Sequence, residues 1–455
     1  VKRDSSGSCR DAAKANTPIR GTKTGYGSVI KKIKVKDGKK EAILIRKLRH
    51  IPQKSLIVEK IINDVIKFGD NAIIKYTEKF DNVKIDSIVV DKVEFKKAYQ
   101  EVTMNQLNSL RKIKKLLEKN EKMVLEQLTR IKSSADGIKI EKVVKPIDSV
   151  GCYIPGGRAR YPSTLIMCAV PAKIAHVNRI VVVSPPMKNG NIDPLTLVAA
   201  DLCGIDEIYK MGGAQAVAAL AYGTKTLKKV DKIVGPGGLF VNIAKFLVSN
   251  KIAIDMIAGP TELLIYADYT SDHKLVVKDL MSQAEHSNDT ICGVVTTSKA
   301  LIGRLENEIE KSLYSSLPRL DIISTSFRNN AFIALCDDEE NAISFMNELA
   351  PEHLEILSKN PKHIASKIKT AGVILLGKYA PSAASDYCLG SNHVLPTMEF
   401  GKSKSSLSVL DFMKLVNHIT VTRRGLYSVQ KCIKELAIAE GLPNHYFAVE
   451  ERFRN

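Results

Sequence analysis

What most constrains this 455-residue chain is the alternation of short apolar runs with helix-length segments from Ser149 onward. "VGCYIPGG" reads as a strand entering a glycine turn, "STLIMCAVPAKIAHV" as a helix, and "RIVVVS" as a strand stopped at Pro185-Pro186. "PLTLVAADLCG", "EIYKMGGAQAVAALAYG", "DKIVGPGGLFVNIAKFLVS" and "IAIDMIAG" continue the pattern. A second series runs through "ELLIYAD", a helix over "DLMSQAEH", "ICGVVTTS", "AFIALC", "EILS" and "GVILLG". A helical crossover returns the chain to the same sheet edge, so such strands pair in parallel. The fold class predicted is α/β, with two doubly wound Rossmann-like parallel-sheet units and a helical C-terminal segment after about Ser405. Before them, Ser55 to Tyr99 reads as helix, turn, helix, broken at Gly69-Asp70, with a short strand near Ile88–Val90. Residues 104–135 read as one long charged helix, with Leu107, Leu110, Ile113, Leu116 and Leu117 at helical spacing.

No apolar run approaches the roughly 20 residues that span a bilayer, and no signal peptide is read near the start. The formal charge is +19, and residues 1–50 hold 15 Lys or Arg against four Asp or Glu, a net +11. That segment reads as a solvated basic extension. A transit peptide, suggested by its Arg and Ser and few acids, is a weaker reading, and so is an RNA-binding arm, since Tyr26 alone gives no aromatic interleaving for base stacking. The eight cysteines form no C-x-x-C pair, which argues against a thiolate zinc site or a disulfide scaffold and for reduced thiols in a cytoplasmic protein. Cys152 reads as a small buried residue on a strand rather than a nucleophile, since no basic partner adjoins it.

The candidate chemistry is scattered. Gly212-Gly213-Ala214-Gln215 and Gly235-Pro236-Gly237-Gly238 each place small residues where a strand turns into a helix, and a helix N-terminus favours a phosphate. Neither is G-x-G-x-x-G, so the usual dinucleotide fingerprint is missing. Gln283 and His286, at i and i+3, share a helix face. A lone Q-x-x-H pair is weak, but Asp386 in "SDYCLGSNHVLPT" and His445 in "AEGLPNH" add a carboxylate and a second imidazole in separate loops. That donor set suits a borderline divalent ion such as zinc. Glu352-His353 in "APEHLE" pairs an acid with an imidazole, suited to proton transfer; the bland alternative is a surface Glu beside a core His. His393 reads as a brace for the loop that carries Asp386.

Over residues 55–455 the chain resembles the histidinol dehydrogenase family. The resemblance rests on "GCYIPGGRARYPST", "PAKIAHV", "EIYKMGGAQAVAALAYGT", "VDKIVGPG", "IDMIAGPTELLIYAD", "DLMSQAEH", "PEHLE", "SDYCLGSNHVLPT" and "AEGLPNH", all in order. It implies NAD-dependent four-electron oxidation of L-histidinol to L-histidine through histidinal, the last step of histidine biosynthesis. It also implies one zinc ion per subunit, held by Gln283, His286, Asp386 and His445, which anchors the substrate. His353 would be the base for the alcohol and Glu352 would activate water on the aldehyde. Thr261 and Glu440 match further substrate contacts, while Tyr153, Gln215 and Gly238 match cofactor contacts.

The resemblance further implies a domain-exchanged homodimer in which the C-terminal segment of one subunit completes the site of the other. The expected partition is a basic extension over 1–45, a first α/β domain from 46–148 plus 262–404, an inserted Rossmann-like domain over 149–261, and a helical segment over 405–455. Three departures from the family stand out: Gly238 replaces the usual Asn after G-P-G, Thr261 a commoner Ser, and Ser385 a commoner Gly. The competing readings are an α/β dehydrogenase for another amino alcohol and a basic nucleic-acid-binding scaffold without activity.

Overall fold

The computed structural model describes residues 30–47, 55–128, 131–156, 160–314 and 316–454. Two parallel sheets dominate. The five-stranded sheet runs Ile208–Lys210, Arg179–Ser184, Ser149–Tyr153, Lys232–Val234, Ala253–Ile254. The chain builds outward from its third strand in both directions, the doubly wound pattern. The six-stranded sheet runs Lys31–Val35, Phe332–Cys336, Ile291–Thr296, Glu262–Ala267, His353–Leu357, Val373–Leu376. Its order reverses between Glu262–Ala267 and His353–Leu357, which pair with His353 opposite Leu263. The central strands of both sheets are covered on two faces, so they are buried at every position and mostly apolar rather than alternating, as parallel strands require.

Local chemistry starts the helices where the crossovers need them. The carboxylates of Asp193, Asp272 and Asp338 and the hydroxyl of Ser298 accept backbone N–H groups at the helix ends Pro194–Leu202, His273–Ala284, Glu339–Leu349 and Lys299–Leu313. The helix Pro162–Ile174 has no polar face and is buried for ten successive residues. It fits because one side faces the five-stranded sheet and the other faces the helix Met104–Leu128.

The structure divides the chain differently from the sequence reading at three places. Residues 31–47 are not extension: Lys31–Val35 is the edge strand of the six-stranded sheet, and the helix Gly38–Lys47 packs on the helix Glu339–Leu349. Residues 1–29 lie outside the described residues. Secondly, the helices between Ser55 and Leu128 do not join 262–404. Val58, Ile61, Val65 and Ile73 share a core with Val181, Val217 and Ile233, and Leu107, Leu110 and Leu117 share one with Leu165, Ile166 and Val198. Their apolar stripes thus cover both faces of the five-stranded sheet.

Thirdly, the segment after Ser405 is not all helix. Its strand Met413–Val421 pairs antiparallel along the whole of Ile138–Pro146, with Lys132–Ala135 on the far side, where one continuous helix to residue 135 is expected. The helices Arg423–Ala439 and Pro443–Glu450 then pack against each other. Ile419, Leu436, Ile438, Leu442 and Phe447 are all exposed on this arm.

Candidate active site

The expected acid–imidazole pair stands where the central strands of the six-stranded sheet begin. Both groups are buried. Glu352 Oε2 accepts the Glu262 N–H at 2.8 Å, and the Glu352 N–H reaches Glu262 Oε2 at 3.3 Å, a reciprocal clasp between the starts of neighbouring strands. His353 Nδ1 lies 3.2 Å from the Glu262 carbonyl oxygen. A carbonyl only accepts, so Nδ1 carries the proton and Nε2 is the basic atom. Nε2 is buried, has no hydrogen-bond partner among the described residues, and stands 3.5 Å from Asp386 Oδ1. Burial pushes the Glu352 carboxyl up to about 8, against the pull of His353. Burial opposes a charged His353, but Glu352 and Asp386 outweigh it and push the imidazole up to about 9. Asp386 is held below the usual carboxylate range: burial works against this, and its contact with His353 prevails.

Asp386 caps the short helix Ser382–Ser385, which packs on the helix His273–Ala284 that carries Gln283. Ser385 has ordinary helical backbone, so this position does not demand glycine. Gln283 is buried, and His286, just past the helix end, is open to solvent at the rim. Enough protein still surrounds the imidazole that desolvation lowers its pKa. His393 braces the loop as expected: Nδ1 donates to the Asp386 carbonyl at 2.6 Å, leaving Nε2 to accept the Thr164 hydroxyl at 3.0 Å. That pair ties the loop to the helix Pro162–Ile174 of the other sheet.

The carboxyl ends of the five-stranded sheet supply the glycine turns. The Tyr153 hydroxyl accepts the Gly213 N–H at 3.0 Å. Gln215 is buried with its Oε1 unpartnered, an orphaned acceptor aimed at the turn. Gly235 has φ +111°, and a Cβ there would stand 2.2 Å from the Tyr153 carbonyl oxygen, so only glycine fits. A fully buried Lys245–Asp255 ion pair holds this turn: Lys245 donates to the Gly235 carbonyl at 3.0 Å and Asp255 accepts the Gly235 N–H at 2.7 Å. Asn242 then bridges two loops, donating to the Gly237 carbonyl at 2.6 Å and accepting the Ala258 N–H at 3.0 Å. Ala258 lies three residues before Thr261, whose carbonyl accepts the Ile291 N–H at 2.9 Å.

The structure therefore brings Glu352, His353 and Asp386 together, with Gln283 on the helix packed beside them and His286 just beyond that helix's end. It does not bring Glu440 or His445 there. Both are exposed on the C-terminal arm. Among the described residues no three His, Cys, Asp or Glu side chains of one chain form a ready metal centre. Cys152 is buried on its strand as expected. Several contributors escape the sequence reading: Lys245 and Asp255 at the Gly235 turn, Asn242, Thr164, Glu262, and Arg46, whose guanidinium donates to the Glu262 carboxylate at 3.0 Å. Only Glu262 leaves a trace in the sequence, as a carboxylate opening the apolar run "ELLIYA".

A family model described as histidinol dehydrogenase matches residues 45–453. The histidinol dehydrogenase of Clostridium acetobutylicum is 44% identical over 423 residues, 93% of this chain and 95% of that protein. That of Methanocaldococcus jannaschii is 41% identical over 429 residues, 94% of this chain and 99% of that protein. The crystal structure of histidinol dehydrogenase from Elizabethkingia anophelis superposes with a TM-score of 0.88 at 33% identity, covering 94% of this chain and 99% of that one.

Proposed function

Since this chain belongs to the histidinol dehydrogenase family, an oxidoreductase family, we propose that it oxidises L-histidinol to L-histidine through L-histidinal, with two NAD consumed in succession. This would be the final step of histidine biosynthesis, carried out in the cytoplasm; no helix among the described residues is long and apolar enough to cross a membrane. One observation carries the reading. His353 is held by Nδ1 with a buried, unpartnered Nε2, beside a Glu352 carboxyl fixed in the same recess.

His353 Nε2 takes the alcohol proton as hydride leaves the carbinol carbon. Glu352 then takes a proton from the water that adds to the aldehyde carbon. His353 removes a hydroxyl proton from the resulting hydrate as the second hydride departs, and the carboxylate is the product. Two hydrides and three protons leave per substrate: one proton through His353 with each hydride, and one from the added water through Glu352. Burial of Glu352 and His353 keeps bulk water from competing for the reacting carbon.

The donor set fits a zinc ion in chemistry: an amide oxygen from Gln283, an imidazole nitrogen from His286 and a carboxylate from Asp386 lie on or just past the ends of two helices packed together. The partner's His445 would supply the fourth ligand and the partner's Glu440 a substrate contact. When bound, zinc would anchor the substrate's imidazole and amine, and by neutralising Asp386 lower His353 toward the range of a general base, while NAD accepts the hydrides. For NAD, the orphaned Gln215 Oε1, the Tyr153–Gly213 contact and the open space over Gly238 form a consistent cradle. Thr261 offers a hydroxyl at the mouth of the strand that leads to Glu262.

The test is NADH formation by the zinc-loaded protein with L-histidinol, before and after His353→Ala. The expected outcome is two NADH per histidinol, with a loss on the order of a hundredfold or more in the variant. No NADH from folded, zinc-loaded protein would sink the reading.

A further inference from the structure

One buried cation has no part in the mechanism above. Arg46 lies in the last turn of the helix Gly38–Lys47, far in sequence from the site, and its side chain is 12% exposed. Its guanidinium grips the Glu262 carboxylate with both Nη atoms, Nη2 at 3.0 Å from Oε2 and Nη1 against Oε1. The same fork donates to the Leu349 carbonyl, from Nε at 3.1 Å and again from Nη2. Four of the five N–H donors of a rigid plane are thus spent on one carboxylate and on the last turn of the helix Glu339–Leu349. Everything it touches leads to Glu352. Glu262 clasps Glu352 on both sides, and Leu349 begins the three-residue run into it. That run needs holding: Ala350 adopts left-handed backbone at φ 45°, and Glu352 precedes the first residue of its strand, outside the ladder.

We propose that Arg46 is a positioning residue for Glu352, acting through the Glu262 carboxylate and the Leu349 carbonyl to aim the acid that activates water on the aldehyde. His353 is held by other means. Its bond goes to the Glu262 backbone carbonyl, and strand pairing fixes that backbone, with His353 opposite Leu263 and Glu262 opposite Ile291. Loss of Arg46 therefore falls on the aldehyde step more than on the alcohol step. The inference rests on the role given to Glu352 above.

The experiment measures two rates in the full-length, zinc-loaded protein: the first NADH formed from histidinol in a single turnover, and NADH formed from histidinal supplied directly. Arg46→Met is expected to slow histidinal oxidation about tenfold or more, as misaiming of a catalytic group does, with the first hydride transfer changed less than about twofold. Arg46→Lys, which keeps the charge but not the fork, is expected to fall between. It decides the matter if the Met variant does not fold. Equal slowing of both steps, or no slowing of either, overturns the inference. A wild type inactive on both substrates overturns the functional reading and this inference with it; an active wild type whose rate ratio Arg46 substitutions leave unmoved overturns this inference alone.

Discussion

Gly238 caps the helix Leu239–Val248 with ordinary φ of −69°, and a Cβ there would meet nothing within 4 Å. Nothing in the backbone requires glycine at this position, in contrast to Gly235 three residues earlier. An asparagine would enter without strain and add a side-chain hydrogen bond worth about 1 kcal/mol to a bound dinucleotide. Gly238→Asn is therefore expected to lower the KM for NAD about fivefold and leave the KM for histidinol unchanged, as read from initial rates with each varied in turn. An unchanged KM for NAD would remove Gly238 from the cofactor site. Residues such as Gln283, His286, Glu352, His353 and Asp386 are legible in the sequence because their strings are specific and their donor chemistry is distinctive. Arg46 and Asn242 are not. Each works through contacts across the fold, Arg46 with Glu262 216 positions away and Asn242 with Ala258 16 away. Nothing in local pattern marks such a pairing.

At the scale of elements, legibility follows burial. The strands of both sheets stand out because covered parallel strands must be apolar. The ribbon of Lys132–Ala135, Ile138–Pro146 and Met413–Val421 does not, because it has no buried face: the last strand is exposed at eight of its nine positions, and its sequence shows no strict alternation. Lys31–Val35 escapes for a related reason, being an edge strand whose lysines mask its pairing. The root of the arm is held differently. Glu121, buried on the helix Met104–Leu128, accepts the Val409 N–H at 2.6 Å, just before the strand Met413–Val421 begins. Burial, with Asp411 nearby, pushes its carboxyl up from 4.5 to about 7 despite that bond. The folded chain thus keeps a proton that the unfolded chain releases, so this group's contribution favours folding below about 4.5 and is lost as pH rises to about 7. Glu121→Gln keeps the bond to Val409 without the charge. It is expected to raise Tm by about 2 °C or more near pH 8.5 and to leave it unchanged near pH 4.5. An equal shift at both pH values would count against a buried, titrating carboxyl.

For the molecule as a whole, the telling contrast is between a site that lacks two of its expected groups and an arm that carries both in the open. Tyr427, Ile438, Leu442 and Phe447 give that arm an apolar surface left exposed by the described residues of its own chain. If the partner's arm completes each site, subunits that carry His353→Ala and subunits that carry His445→Ala must rescue one another. A mixed dimer would hold one site with both substitutions and one with neither. Random remixing of equal amounts is expected to return about a quarter of wild-type activity. No rescue after verified subunit exchange would mean that His445 acts on its own chain.

The edge strand Lys31–Val35 also sets a timetable. Its partner, Phe332–Cys336, lies 301 residues later, and the five-stranded sheet is made entirely in between. At roughly 5–20 residues per second, a ribosome needs about 15 to 60 s to deliver the one after the other. Through that interval the first-made strand has no partner to pair with, and its own lysines keep its edge from strangers.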